Sequence, residues 1–320
     1  MDYNIDTDLT CEDIVKKACT LVDKYYDANG KGGGHGSAKL VWGNDWEDEM
    51  IKDARNLLAP DQFVNFDCTG FIYYILTSLG CTTNGFGYNN PVPVDPIHWY
   101  KVKNPAGKKS YPDITSNSNV TMTYNGKTSK INIVKCDENI TSSYRYYNTK
   151  NGGFIPSGSI VIATSSTANG SDHGWIYLGN LNTTDAKTAA KILIKDYGVD
   201  ASYLINGNVD GDFTIKQYKN DKGEMKDCIQ SMNNTCTHWR IECTSHSNRH
   251  GVYINNGDPD ALSNEGGYGV DKTIGTVYVF QLAKIDITGA YNLTIEKDNA
   301  SGNPIGSTHM QDVFSVERKV

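Results

Sequence analysis

The spacing of apolar residues predicts a few amphipathic helices and many short strands. Apolar positions recur at helical spacing over 10–28, 46–58, 68–79 and 186–197, and Thr10 is suited to cap the first of these helices. Alternating or continuously apolar runs predict strands at 120–124, 131–134, 158–163, 173–179, 238–243, 251–254 and 277–282. We therefore expect an α+β fold with a further β segment at the C-terminus.

One of these helices begins with a cysteine, in the segment Asp67-Cys68-Thr69-Gly70-Phe71. Asp67 can cap the helix, and a thiol in the first helical turn lies at the positive end of the helix dipole, which favours the thiolate. Because the thiolate is the form that attacks, Cys68 is a candidate nucleophile. The segment alone is equally compatible with a small core cysteine on an amphipathic helix.

A second segment supplies a candidate base. His173 begins a predicted strand and is followed by Gly174, so its imidazole can point into a cleft and take a proton from a thiol. A single histidine is more often structural or exposed, and the interpretation therefore depends on the pair with Cys68.

Taken together, these segments resemble the NlpC/P60 family of papain-like cysteine peptidases. That family carries Asp-Cys-Ser-Gly-Phe on a helix, a Gly-Asp-Leu-Val-like strand and a His-Val-Gly-Ile-Tyr-Leu-Gly-like strand, which segments 67–71, 158–162 and 173–179 match in the same order. CHAP amidases share the layout, but their cysteine segment usually lacks the preceding Asp and the following Gly-Phe, so they rank second. The resemblance implies a papain-like domain over residues 1–283, with N-terminal helices packed on a central antiparallel sheet and insertions near 82–150 and 181–235.

The resemblance also implies a catalytic triad. Cys68 would be the nucleophile, His173 the base, and a polar residue on the next strand would orient the base. His238 fits that third position best, with Glu242 and His246 as alternatives, and His238, Arg240 and Glu242 alternate along one predicted strand face.

Substrate contacts follow from the same resemblance. We expect Asp67, Trp42 and Trp175 to lie along the substrate cleft. Trp42 belongs to a segment similar to the family's Tyr-Val-Trp-Gly-Gly element, but Leu40 stands where the family has its tyrosine. This departure leaves the backbone N–H of Cys68 as the one assigned donor for the oxyanion.

By resemblance, the expected function is hydrolysis of amide bonds in peptidoglycan stem peptides, through a thioester and without a metal or organic cofactor. We expect a monomer that is extracellular or associated with the cell wall. Two alternatives remain: a non-catalytic surface adhesion or cell-wall-binding module with a papain-like fold, and an intracellular peptidase or acyltransferase of the same fold.

Net charge and hydropathy limit the kinds of partner that the protein is expected to bind. The net charge of -7 argues against a nucleic-acid binder, and no apolar run approaches the ~18–20 residues of a membrane span. The first residues are acidic and polar rather than a signal peptide, which taken literally indicates a cytoplasmic protein. The resemblance instead suggests a piece of a longer exported chain.

Cysteine spacing predicts no zinc site, because the sequence contains no Cys-x-x-Cys pair. Of the eight cysteines, Cys228 and Cys236 are close enough in sequence for a local disulfide. The segment 206–212 has calcium-type oxygens without the EF-hand spacing, and predicts a solvated turn.

The last segment, 284–320, resembles the beginning of a Cna-B or SpaA-type prealbumin-like module. Lys297, Gly302, Pro304 and Phe314 can be aligned with the opening of that module. About 35 residues cannot form a whole β-sandwich, so we expect a partial or degenerate module.

Overall fold

The computed structural model describes residues 5–26, 65–66, 68–85, 92–93, 119–135, 157–165, 173–220, 222–232, 234, 236–244, 251–256, 274–284, 291–295 and 314–318. In these ranges the chain forms helices α1 (Cys11–Cys19), α2 (Cys68–Ser78), α3 (Ala186–Lys195) and α4 (Ala201–Leu204). Predicted helix 46–58 and the residues Trp42, Asp67 and His246 lie outside the described residues.

The described strands are more numerous than the sequence predicts. In chain order they are β1 (Tyr25–Tyr26), β2 (Asn65–Phe66), β3 (Thr82–Asn84), β4 (Val92–Pro93), β5 (Thr121–Tyr124), β6 (Lys127–Lys130), β7 (Asn132–Lys135), β8 (Ile160–Ser165), β9 (His173–Asn180), β10 (Ile205–Gly207), β11 (Phe213–Ile215), β12 (Gln217–Lys219), β13 (Met225–Asp227), β14 (Ile229–Gln230), β15 (His238–Thr244), β16 (Gly251–Asn255), β17 (Ile274–Gln281), β18 (Tyr291–Ile295) and β19 (Phe314–Arg318).

The main sheet has the strand order β2-β1-β16-β15-β9-β8-β17-β7, and β14 also pairs with β16. Its pairs are antiparallel except β1 with β2 and β14 with β16. The chain is therefore an α+β protein with a largely antiparallel sheet. Two of these strands, β7 and β14, come from the predicted insertions. The insertions therefore contribute strands to the main sheet.

Helix α1 begins as the sequence predicts but ends much earlier. Thr10 forms a capping box with Asp13, whose backbone N–H donates to the Thr10 hydroxyl at 3.1 Å. The helix ends at Cys19, not at the predicted residue 28, because Tyr25 and Tyr26 pair with β16 and β2 instead. Long-range strand pairing here outweighs the local helical pattern.

Helix α2 confirms the predicted cysteine helix and its stop at Gly80. The helix ends in a Schellman motif: the N–H of Cys81 donates to the carbonyl of Leu76 at 2.9 Å, and that of Gly80 to Thr77 at 2.8 Å. Gly80 adopts a φ of 78°, which glycine allows without a steric penalty. The buried residues of α2 pack on β9 and β15: Phe71, Ile72, Tyr73, Ile75 and Leu76.

The remaining elements are small. Strands β3–β6 form a four-stranded sheet, and β10 with β11 forms a hairpin, so the predicted turn at 206–212 connects two strands. Cys228 and Cys236 do not form the local disulfide that their spacing allows. Strands β18 and β19 pair with each other, and the assignment of 284–320 to a prealbumin-like module stays a prediction.

Gly174 sets the distance between α2 and the sheet. A Cβ atom there would lie 2.9 Å from Cδ1 of Ile72 and 3.0 Å from Cδ1 of Ile162. We expect Gly174→Ala to lower the free energy of unfolding by about 1–3 kcal/mol, because the added methyl group overpacks this contact. This loss of unfolding free energy should be smaller in an Ile72→Val background, because valine lacks the Cδ1 atom that clashes with the added methyl group.

Urea unfolding of the two single variants and the double variant measures this coupling. Gly211→Ala is the matched control, since a Cβ there meets its nearest atoms at an ordinary 3.8 Å. Equal costs of Gly174→Ala in both backgrounds would contradict the packing described here.

Candidate active site

The chain connectivity brings the start of α2 and the start of β9 to the same side of the main sheet. This edge is the one at which β9 begins and β15 ends, not an outermost strand. Strand β9 begins at this edge with His173, and β15, antiparallel to it, ends there at Thr244. Gly251, which begins β16, pairs with Thr244 on one side and with Tyr25 on the other. Strand β2 runs parallel to β1 and ends at this edge with Phe66, two residues before Cys68.

From the packing of α2 on β9 we infer that Cys68 lies near the end of the sheet at which His173 begins β9. Ile72 contacts the backbone of Gly174, as the close approach of its Cδ1 atom shows. Cys68 lies one helical turn before Ile72 on the same face of the helix, and thus nearer to the edge where β9 begins. Among the described cysteines, Cys68 is half-buried and the other six are buried.

His173 is held by a carboxylate. Its Nε2 atom lies 2.5 Å from Oε2 of Glu242 on the neighbouring strand β15, and both side chains are buried. A contact through Nε2 assigns Nδ1 as the ring nitrogen through which His173 would act on a thiol. This is the arrangement by which a buried acid fixes the tautomer of a base.

Glu242 is the centre of a buried polar cluster. Its other oxygen, Oε1, accepts a hydrogen bond from Nδ2 of Asn255 at 2.7 Å and lies 3.1 Å from the guanidinium of Arg240. The guanidinium lies over the Trp175 ring, 5.1 Å from the centroid, and the rings of Trp175 and His173 are 5.5 Å apart. The carboxylate therefore has partners on both oxygens.

These partners keep Glu242 ionised. Burial alone would raise the pKa of its carboxyl group, but the charge of Arg240, together with the hydrogen bonds from His173 and Asn255, outweighs burial and holds the pKa well below its usual range. A charged carboxylate next to His173 stabilises the imidazolium form.

The structure corrects the predicted role of His238. His238 begins β15 and pairs with Asn180, at the end of β9 opposite to His173. Seven strand positions at ~3.3 Å each place the two histidines roughly 23 Å apart, beyond the reach of a hydrogen bond. Glu242, which sequence analysis kept as an alternative, is the residue of β15 that contacts His173.

His238 instead forms a buried pair with Tyr177. Its Nδ1 atom lies 2.8 Å from the Tyr177 hydroxyl, and burial lowers the pKa of the imidazole to about 4. Since an unfolded histidine has a pKa near 6.5, the unfolded chain binds the extra proton between about pH 6.5 and pH 4. His238 therefore costs stability as the pH falls through this window, by about 3 kcal/mol over the whole range.

We expect His238→Asn to flatten the acid side of the stability profile, because asparagine can keep a contact with Tyr177 and does not titrate. Urea unfolding at pH 7.5 and pH 4.5 measures the difference for both proteins. The loss of unfolding free energy on acidification should be smaller in the variant. Equal losses would show that the imidazole of His238 is not held neutral by burial.

Trp175 does not form an open surface for substrate, which corrects the expectation from sequence. Its side chain is fully buried between His173 and the guanidinium of Arg240. Trp42 and Asp67, the other two predicted substrate contacts, lie outside the described residues.

Sequence analysis assigned no role to Arg240 or to Asn255. The signal for Arg240 was its alternation with Glu242 on one strand face, while Asn255 follows an apolar strand and carries no local signal. Their meeting at Oε1 of Glu242 depends on the β15–β16 register, which pairs Arg240 with Asn255.

Comparisons with protein-family models, with curated proteins and with solved structures found no match. Among the described residues, no helix is long and apolar enough to cross a membrane. The described ranges also contain no group of three or more histidine, cysteine, aspartate or glutamate side chains that could hold a metal ion.

Proposed function

We propose that the protein is a papain-like cysteine peptidase that hydrolyses amide bonds in peptidoglycan stem peptides. The observation that carries the proposal is the buried contact between Nε2 of His173 and Glu242, at the sheet edge where α2 begins with Cys68. A held imidazole beside a helix-borne thiol is the arrangement that cysteine nucleophiles require.

The proposed chemistry uses three groups. Nδ1 of His173 takes the proton of Cys68, and the thiolate sulfur attacks the amide carbonyl. The backbone N–H of Cys68 donates to the oxyanion that forms. The imidazolium then gives its proton to the leaving amine, a thioester remains on Cys68, and water activated by His173 hydrolyses it. Glu242 stabilises the imidazolium throughout.

The thiol and the imidazole would meet at the sheet edge rather than across its face. Successive residues of a strand point to opposite faces, so Gly174 faces α2 while His173 faces the cluster around Glu242. Only the first residue of β9 can be approached around the strand end, and His173 is that residue.

The substrate class comes from the motif resemblance, which also leads us to propose an extracellular or wall-associated location. The test is digestion of peptidoglycan from several Gram-positive walls by the protein and by Cys68→Ala, read as new amino termini and fragment masses. Stem-peptide fragments that appear only with the intact thiol would support the peptidase and identify the bond. Absence of fragments from every wall would favour a module that binds without cleaving.

A further inference from the structure

Arg240 lies in the interior beside the proposed base but has no place in the proposed chemistry. Its side chain is 3% exposed and that of Glu242 is 1% exposed, so the ion pair between them is removed from solvent. Burying a guanidinium is costly unless its partners are well placed. A structural ion pair would need no particular relation to His173, yet this one shares a carboxylate with it.

The two carboxylate oxygens of Glu242 contact different partners. Oε2 contacts His173, whereas Oε1 lies near Arg240 and Asn255. With Oε1 fixed from two directions, the carboxylate cannot rotate, and Oε2 is directed at the imidazole. The Trp175 ring lies over the guanidinium of Arg240 and near the imidazole of His173, so it contacts both partners of the carboxylate.

We infer that Arg240 is a positioning residue that sets the protonation range of His173, by fixing the Glu242 carboxylate and by offsetting part of its charge. The inference rests on the proposed function, since it concerns the same base. A carboxylate alone would stabilise the imidazolium so strongly that His173 would already be protonated at neutral pH and could not take the proton of Cys68. A second cation on the same carboxylate weakens that stabilisation.

Few other described groups can titrate near this cluster. Cys68 is the first residue of α2, and Tyr253 of β16 pairs with Glu242 of β15. Tyr177 and His238 lie further along the same strand pair. Among these described groups, Arg240 is the permanent cation that contacts Glu242.

The experiment is an NMR titration of the His173 imidazole in the Cys68→Ala protein, with Arg240→Met and Arg240→Lys compared to the parent. Removal of the charge in Arg240→Met should raise the pH midpoint of His173 by about one unit, a tenfold change in proton affinity. Arg240→Lys keeps the charge and should hold the midpoint within about 0.3 unit. His238 is an internal reference whose midpoint should stay near its own low value.

An unchanged midpoint in Arg240→Met, or an equal rise in both variants, would overturn the inference. Should Arg240→Met not fold, Arg240→Gln replaces it, and should neither fold, a raised midpoint in Arg240→Lys overturns the inference while a held one supports it. The titration needs no hydrolysis, so failure of the proposed function would be seen separately, as absence of digestion by the protein with Cys68 intact. In an active protein, the alkaline limb of kcat/KM should move upward with the midpoint.

Discussion

Hydrolysis of peptidoglycan should fall by about 10²–10⁴-fold when His173 is replaced by alanine, because His173 is the proposed base for Cys68. The thiol would then remain protonated at neutral pH, where it is a weak nucleophile. Initial rates of amine release from purified peptidoglycan measure the loss.

The matched control is the other histidine on the same pair of strands. His238 is equally buried but lies at the opposite edge, so His238→Asn should keep the hydrolysis rate within about twofold of the parent at pH 7.5. If His238→Asn abolished hydrolysis while His173→Ala spared it, the assignment of the base would be wrong.

Glu242→Gln should lower the free energy of unfolding by about 3–5 kcal/mol, the largest stability effect expected in the molecule. The substitution keeps the shape of the side chain but removes its charge, and it leaves the buried guanidinium of Arg240 without a compensating anion. Hydrolysis should fall as well, because the imidazolium of His173 loses its stabilising charge.

A double variant separates the two consequences of this substitution. Arg240→Met combined with Glu242→Gln removes both buried charges and should recover much of the stability, while hydrolysis stays low. Glu224→Gln is the control, because its ion pair with Lys226 lies on the surface and its loss should barely change the urea midpoint. A Glu242→Gln protein as stable as the parent would show that the charge of Glu242 is not needed to compensate the buried guanidinium of Arg240.

Local pattern was sufficient to predict the elements that carry the site. The apolar spacing after Cys68 predicted α2, and alternation predicted β9 from His173 and β15 from His238. The shared strand face of Arg240 and Glu242 followed from the period of two. These features depend on residues close to one another in sequence.

Which residue of that strand face contacts His173 could not be predicted from sequence. His238, Arg240 and Glu242 are equivalent by alternation, and the register of β15 on β9 decides which of them meets His173. That register includes an irregularity between Trp239 and Arg240, and it joins strands separated by α3, α4 and two hairpins. The early end of α1 has the same cause, since the pairing of Tyr25 with Gly251 is a long-range contact.

We propose that His173, held by Glu242, activates Cys68. The most direct measurement is the rate of Cys68 alkylation by iodoacetamide from pH 4 to pH 10, followed at the level of the peptide because six of the other cysteines are buried thiols. We expect half-maximal rate well below the ~8.5 of an ordinary cysteine, and a shift back toward that value in His173→Ala. A Cys68 that titrates as an ordinary thiol, with the same profile in His173→Ala, would contradict the claim.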